Sequence, residues 1–202
     1  MKIVCIGRNY AEHAKELNNP LPSEPVIFFK PESALSNFRQ PYKIPDFTND
    51  LHHEIEVALR INQTATKVDA KDAWNYIDGI TLAIDFTARD LQSNLKEKGL
   101  PWEKAKAFDG SAILGEWQEV SDHNKKAISF RLLKNGATVQ SGNSKDMLFQ
   151  IPILIEQITK YFTLFPGDVV LTGTPSGVGK VNSGDILEAF FEEELVFTLN
   201  II

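Results

Sequence analysis

The chain has one cysteine, no long hydrophobic run and no excess of basic residues, and each shortage removes a class of protein. The lone thiol, Cys5, cannot close an internal disulfide; set in the apolar stretch Ile3-Val4-Cys5-Ile6, it reads as a buried thiol in a reducing compartment. No apolar stretch approaches membrane-spanning length, and Met1-Lys2-Ile3-Val4 enters a strand-like run without the h-region of a signal peptide, which predicts a soluble, cytoplasmic protein. With 21 Lys+Arg against 27 Asp+Glu the formal charge is −6, and no basic run is interleaved with aromatics, so neither nucleic acid nor membrane is an expected partner. A small anionic ligand stays open to such a chain, provided a metal or a few local cations reverse the field inside a pocket. Internal repeats, low-complexity tracts and linkers are also missing, so 202 residues with 43% hydrophobic content predict one domain spanning 1–202.

What is present reads as short strands and short helices. Lys2 to Ile6 is a predicted strand, followed by Gly7-Arg8-Asn9 and a helix from Tyr10 to Leu17 that stops at Asn18-Asn19-Pro20. Further strands are expected at Val26 to Phe29, His52 to Ile61, Gly79 to Asp85, Val169 to Thr172, Asp185 to Phe191 and Leu195 to Ile202. Short helices are expected near Asp72 to Ile77 and from Ala88 to Lys98-Gly99, whereas Leu100 to Gly110 reads as irregular loop. Ile128 to Leu133 and Ala137 to Gln140 flank Lys134-Asn135-Gly136 as a hairpin whose turn chemistry favours positive φ. Apolar residues recur at helical spacing from Met147 to Phe162, with Pro152 either at a first helical position or breaking the segment in two. The expectation is an α+β, β-rich fold with short helices and no regular β-α-β alternation.

The densest chemistry lies in His52-His53-Glu54-Ile55-Glu56-Val57-Ala58-Leu59-Arg60-Ile61. A strand period of two puts Glu54 and Glu56 on one face and Ile55, Val57, Leu59 and Ile61 on the other. Two carboxylates pointing the same way repel, more so when half-buried, and call for a positive charge between them. Asp85, at the carboxyl end of its strand, offers a third oxygen, and an all-carboxylate set suits Mg2+ or Mn2+ better than zinc or copper. The same spacing also fits a solvated strand face with Asp85 as a helix cap, and His52, which shares the parity of the glutamates, fits a mixed His and carboxylate zinc site. His13 and Glu16, three apart on the predicted helix, form a candidate dyad in which the carboxylate orients the imidazole as a base for water. Arg8, Lys30 and Lys106 stand beside apolar segments, from where a cation reaches a pocket or simply snorkels to the surface. The glycine-rich run Thr172 to Lys180 reads equally as an anion cradle and as a tight turn. It is not a nucleotide loop, because Thr174 stands where the first glycine is needed and Val181 follows Lys180.

An ordered series of motifs runs along the chain. Ile6-Gly7-Arg8-Asn9-Tyr10 with His13 and Glu16 comes first, then Phe29-Lys30-Pro31, His53-Glu54-Ile55-Glu56 and Asp85-Phe86-Thr87-Ala88-Arg89-Asp90. Lys106-Ala107-Phe108-Asp109 follows, then Pro166-Gly167-Asp168 running to Gly173-Thr174-Pro175-Ser176-Gly177-Val178-Gly179. The series resembles the fumarylacetoacetate hydrolase family, in the short branch of acylpyruvate hydrolases and oxaloacetate decarboxylases, and the likeness covers nearly the whole chain. It implies a β-rich roll of layered mixed sheets, a homodimer, and Mg2+ or Mn2+ held by Glu54, Glu56 and Asp85. By the same match Lys106 and Gln92 would lie around metal and substrate, and Arg8, Lys30 and Thr174 would contact substrate carboxylate or keto groups. The helix bearing His13 and Glu16 would be a mobile lid within residues 1–20. The implied activity is cleavage of a carbon–carbon bond in 3-acylpyruvates to release pyruvate, with oxaloacetate decarboxylation on a shared enolate. The alternatives are oxaloacetate tautomerisation, isomerisation or hydration of dienoic acids, and, outside catalysis, small-molecule binding around a structural ion.

Overall fold

The computed structural model describes residues 1–202, in which fifteen strands and five short α-helices follow one another. The first half holds β1 (Lys2–Gly7), α1 (Ala11–Glu16), β2 (Val26–Pro31), β3 (Leu35–Ser36), β4 (Leu51–His53), β5 (Ile55–Ile61), β6 (Ile77–Asp85) and β7 (Thr87–Ala88). Next come α2 (Arg89–Glu97), α3 (Glu103–Lys106), β8 (Ala112–Leu114), β9 (Gln118–Glu119), α4 (Asp122–Lys126), β10 (Ser129–Lys134) and β11 (Ala137–Asn143). The chain closes with α5 (Ile151–Tyr161), β12 (Val169–Leu171), β13 (Gly179–Lys180), β14 (Ile186–Phe191) and β15 (Glu194–Asn200).

Three sheets result: an eight-stranded one in the order β2-β1-β12-β5-β6-β8-β3 with β9 beside β6, a four-stranded one, β11-β10-β14-β15, and a three-stranded one, β13-β4-β7. β1 and β12 run parallel while β5 is antiparallel to both β12 and β6, so the main sheet is mixed. The alternation of β5 explains its two-sided burial. Ile55, Val57, Leu59 and Ile61 enter a core of 36 side chains, whereas Ala58 faces the other way into a cluster of seven with Cys5, Ala83 and Ala112. At about 1.5–3 kcal/mol for each fully buried large apolar side chain, the bigger cluster dominates the hydrophobic stabilisation. The thin side, where Cys5 and three alanines stand with Ile3, Val169 and Leu171, is left to carry polar groups. Cys5 is buried there as expected, and burial followed by the nearby Asp85 charge pushes its thiol well above the usual cysteine range, so it is chemically inert.

Local signals resolve as follows. The β10–β11 hairpin turns at Asn135 and Gly136, both at positive φ (55° and 79°), the conformation their turn chemistry favours. α5 is one unbroken helix with Pro152 in its first turn, where a missing N–H leaves no bond unmade. The short helix expected near 72–77 is a 3₁₀ run over Ala70–Tyr76. Within the expected loop 100–110 the chain instead forms α3, in which the Trp102 carbonyl accepts from the Ala105 and Lys106 amides at 2.8 and 3.0 Å. No helix is long and apolar enough to cross a membrane.

Candidate active site

The register of β5 against β6 sets Glu56 opposite Ala83 and Ile55 opposite Ile84, and the Asp85 amide donates to the Glu54 carbonyl at 2.9 Å. The ends of the two strands therefore meet on the thin side of the sheet. Glu54, Glu56 and Asp85, all buried, each present a carboxylate oxygen within 4.8 Å of the other two. Asp85 is no helix cap, since α2 starts at Arg89 with Ala88 at its N-cap position and no side-chain cap. Nor does His52 join the cluster. The chain leaves strand geometry at Glu54, between β4 and β5, so the parity of the glutamates does not extend back to His52, which sits 3.0 Å from Asp50. His53 points its Nδ1 at Gln140 Oε1, 3.0 Å away, and burial drives its pKa down to about 4. The mixed zinc set has no geometry to support it.

Three cations approach the carboxylates. Lys106, carried by the unpredicted α3, places Nζ 2.8 Å from Glu54 Oε2 and 2.8 Å from Asp85 Oδ2. Arg89 pairs with Glu54 Oε1 and donates to Gln92 Oε1 at 2.6 Å. Lys30 Nζ lies 2.7 Å from Asp85 Oδ1. The expected contact between Lys30 and substrate is not what the geometry provides, because this side chain is fully buried behind Asp85. There it bonds the Lys106 carbonyl and, at 2.9 Å, Ser111 Oγ, holding Asp85 and the Lys106 segment in place.

Glu56 has no cation of its own; the Gly173 amide, at 2.6 Å, is its one hydrogen-bond donor. Burial, with Asp85 adding to it, pushes the Glu56 carboxyl well above the usual range. Burial acts on Glu54 in the same sense, but Lys106 and Arg89 override it and hold that carboxyl well below the usual range. Burial also opposes the Lys106 charge, and Asp85 and Glu54 overrule it, so the ammonium is held above the usual lysine range. An uncompensated carboxylate inside an all-oxygen, buried donor set fits a hard divalent cation such as Mg2+ or Mn2+. Asp85 Oδ1, which makes no hydrogen bond despite its proximity to Lys30, fits it as well.

Above the triad lies a cavity of about 40 Å³, bordered by Arg8, His13, Gln92, Lys96, Thr174 and the aromatic rings of Phe28 and Trp102. α1 forms one wall. His13 Nδ1 is 3.1 Å from Glu16 Oε2, so the expected dyad is assembled with the other ring nitrogen left over. Glu16 Oε1 in turn accepts from the Gly177 amide at 3.0 Å. The glycine-rich run therefore does offer amides to anions, but the anions are the protein's own Glu56 and Glu16. Glycine is required there: at Gly177 (φ +98°) a Cβ would sit 2.1 Å from the Val139 carbonyl oxygen, and at Gly173 (φ +102°) 2.7 Å from Asn9 Cβ.

Two lining cations, Arg89 and Lys96, were not among the residues singled out by sequence. With Gln92 they occupy positions i, i+3 and i+7 of α2, one helical face directly after Asp85, and that spacing was the available signal. Burial, together with Arg8, Arg89 and Lys106, lowers the Lys96 pKa. The rim is thus strongly positive and suits an anionic ligand, as the sequence required of an acidic chain.

This fold and site define a class before any relative is considered: a β-rich roll that gathers three buried carboxylates beneath a small cationic cavity. The chain matches the fumarylacetoacetate (FAA) hydrolase C-terminal family over residues 2–198, and it belongs to the fumarylacetoacetate hydrolase family. It is 44% identical over 193 residues to oxaloacetate tautomerase YcgM of Escherichia coli (strain K12), across 95% of this chain and 88% of the relative. To the mitochondrial oxaloacetate decarboxylase of Dictyostelium discoideum it is 42% identical over 191 residues, across 93% of this chain and 87% of the relative. A crystal structure of fumarylpyruvate hydrolase from Pseudomonas aeruginosa, in complex with Mn2+ and pyruvate, has a TM-score of 0.93 and 29% identity, covering 100% of this chain and 89% of that one.

Proposed function

We propose that the protein is a Mg2+- or Mn2+-dependent enzyme that interconverts the keto and enol forms of oxaloacetate, working as a single catalytic domain in a homodimer. The observation that carries this reading is Glu56, a buried carboxylate with no cation, set between Glu54 and Asp85 and facing a positive cavity. The cavity is bordered by the triad and by the cations Arg8, Arg89 and Lys96, which favours a small anionic substrate. The names of the E. coli and Dictyostelium relatives point to the same substrate.

Bound on Glu54, Glu56 and Asp85, the ion supplies positive charge for the negative charge that develops on the substrate's oxygens. Arg8 and Lys96 at the rim attract the two carboxylates, while Gln92 and Thr174 offer polar contacts inside. His13, oriented by Glu16, takes a proton from C3 of the keto form; the C–H pair becomes the C2–C3 double bond, and the C2 oxygen gains a proton from solvent. Lys106, held protonated by Asp85 and Glu54, acts as a fixed donor and does not give up its proton.

The dyad supports a second reaction on the same site, hydrolysis of short acylpyruvates. His13 deprotonates a water that adds to the distal carbonyl, the carbon–carbon bond breaks, and pyruvate leaves in its enol form beside a carboxylic acid. The P. aeruginosa hydrolase favours that activity as a companion. Ultraviolet absorbance of enol-oxaloacetate and pyruvate release from acetylpyruvate, each followed against buffer with equal Mg2+, test both. Rates equal to buffer on oxaloacetate and acetylpyruvate alike would leave the dienoic-acid and binding-protein readings.

A further inference from the structure

We infer that Gln140 is a positioning residue that fixes Thr174 as a hydrogen-bond donor to the substrate, an inference that takes its substrate class from the reading above. Gln140 belongs to β11, outside the sheet that carries Glu56 and Asp85, and is 1% exposed. Its neighbours determine which end of the amide is which. The Ile55 N–H, which can only donate, meets Oε1 at 3.0 Å, and the Pro175 carbonyl, which can only accept, meets Nε2 at 2.9 Å. His53 Nδ1, 3.0 Å from the same Oε1, must then be the protonated nitrogen of that ring. With the amide locked in this sense, its remaining N–H goes to Thr174 Oγ1 at 2.8 Å.

A hydroxyl that accepts from an amide still has its own proton to give. Thr174 is buried, borders the cavity, and makes no other side-chain hydrogen bond in the protein, so the cavity is where that proton goes. A carboxylate or keto oxygen of a 2-oxo acid is the matching acceptor, and a charged acceptor makes the bond about twice as strong as a neutral one. With the amide reversed, the threonine would donate to it and turn lone pairs toward an anion. Gln140 thus acts on the ligand through Thr174 without touching it.

Gln140→Glu keeps an oxygen for Ile55 and His53 and places a second acceptor where the donor stood, which draws the Thr174 proton out of the cavity. For oxaloacetate, KM should rise about tenfold or more with kcat changed less than about threefold. The calorimetric affinity for oxalate in the presence of Mg2+ should weaken by a similar factor. Thr174→Val should reproduce the loss and Thr174→Ser should recover most of it. In a Thr174→Val background, Gln140→Glu should cost less than about twofold more, because the two residues act as one. Losses that multiply in the double variant, or a folded Gln140→Glu protein with wild-type oxalate affinity, would overturn the inference. Should Gln140→Glu fail to fold, neutron diffraction of the wild type in D2O decides: a deuterium bonded to Thr174 Oγ1 and pointing into the cavity, with the one toward Gln140 bonded to Nε2, supports the inference, and an Oγ1-bonded deuterium pointing at Gln140 overturns it. Oxalate binding and the neutron map do not depend on turnover, so a wild type inactive on oxaloacetate would refute the proposed reaction alone.

Discussion

Replacing Glu56 by glutamine should make the metal-free protein more stable and blind to divalent ions. The swap keeps an oxygen for the Gly173 amide while removing a charge that has two carboxylates within 4.8 Å and no cation beside it. At an effective dielectric of 20 each of those repulsions is about 3.5 kcal/mol at that separation. Protonation caps the total, because returning an ordinary glutamate to its acid form at pH 7 costs about 3–4 kcal/mol at roughly 1.36 kcal/mol per pH unit. A net gain of about 1–3 kcal/mol is therefore expected in EDTA, or about 2–12 °C in Tm at roughly 2–4 °C per kcal/mol for a chain of this length. For the wild type, an ion at a hundredfold excess over its Kd adds about 2.7 kcal/mol, or roughly 5–11 °C. Thermal scans of both proteins in EDTA and in millimolar Mg2+ should thus cross: the wild type lower without the ion and rising with it, the variant higher and flat. A variant less stable than wild type in EDTA, or equal Mg2+ shifts in both, would show that Glu56 carries no uncompensated charge in an ion site.

Other consequences are open to measurement. His13→Ala should lower acetylpyruvate hydrolysis about 10²–10⁴-fold while sparing much of any oxaloacetate decarboxylation, which needs no attacking water; equal loss of both in a coupled pyruvate assay would contradict the division of labour. Lys106→Met leaves Glu54 and Asp85 short of a buried partner and should destabilise the metal-free fold by about 3–5 kcal/mol, read as a lower urea midpoint. Burial acts to raise the Asp168 pKa, but the Lys2 ammonium and the Lys2 and Phe165 amides (2.9 and 2.8 Å) outweigh it, so its carboxyl lies below the usual range. A depressed folded pKa contributes stability that is present above about pH 4 and lost as pH falls through the folded value. The stability gap between wild type and Asp168→Asn should therefore narrow on going from pH 7 to pH 3, and a gap independent of pH would refute this.

What the sequence revealed depended on whether the signal was local. β5 was readable because Ile55, Val57, Leu59 and Ile61 alternate without a break and their burial follows from parity alone. The Asn135-Gly136 turn was readable because its backbone conformation is a property of two residues. α3 was not, since four residues carry no period, yet it delivers Lys106 to the triad. His52 misled because parity was extended across a break at Glu54 that only the pairing of β4 with β13 and β7 reveals. Lys30 is the sharpest case. A lysine at a strand end reads as a surface or pocket cation, and its burial is decided by partners 76 and 81 residues away in the chain, Lys106 and Ser111. Arg89 reads as a solvated charge in a first helical turn until Glu54, 35 residues earlier, is placed beside it.

A crystal grown with Mn2+ and oxalate, with data collected for anomalous scattering, would address the account at its root. One manganese peak bonded to Glu54, Glu56 and Asp85 together, with oxalate on its Thr174 side, is the predicted result. A triad with no peak, its carboxylates still bridged by Lys106 while manganese binds elsewhere, would contradict it.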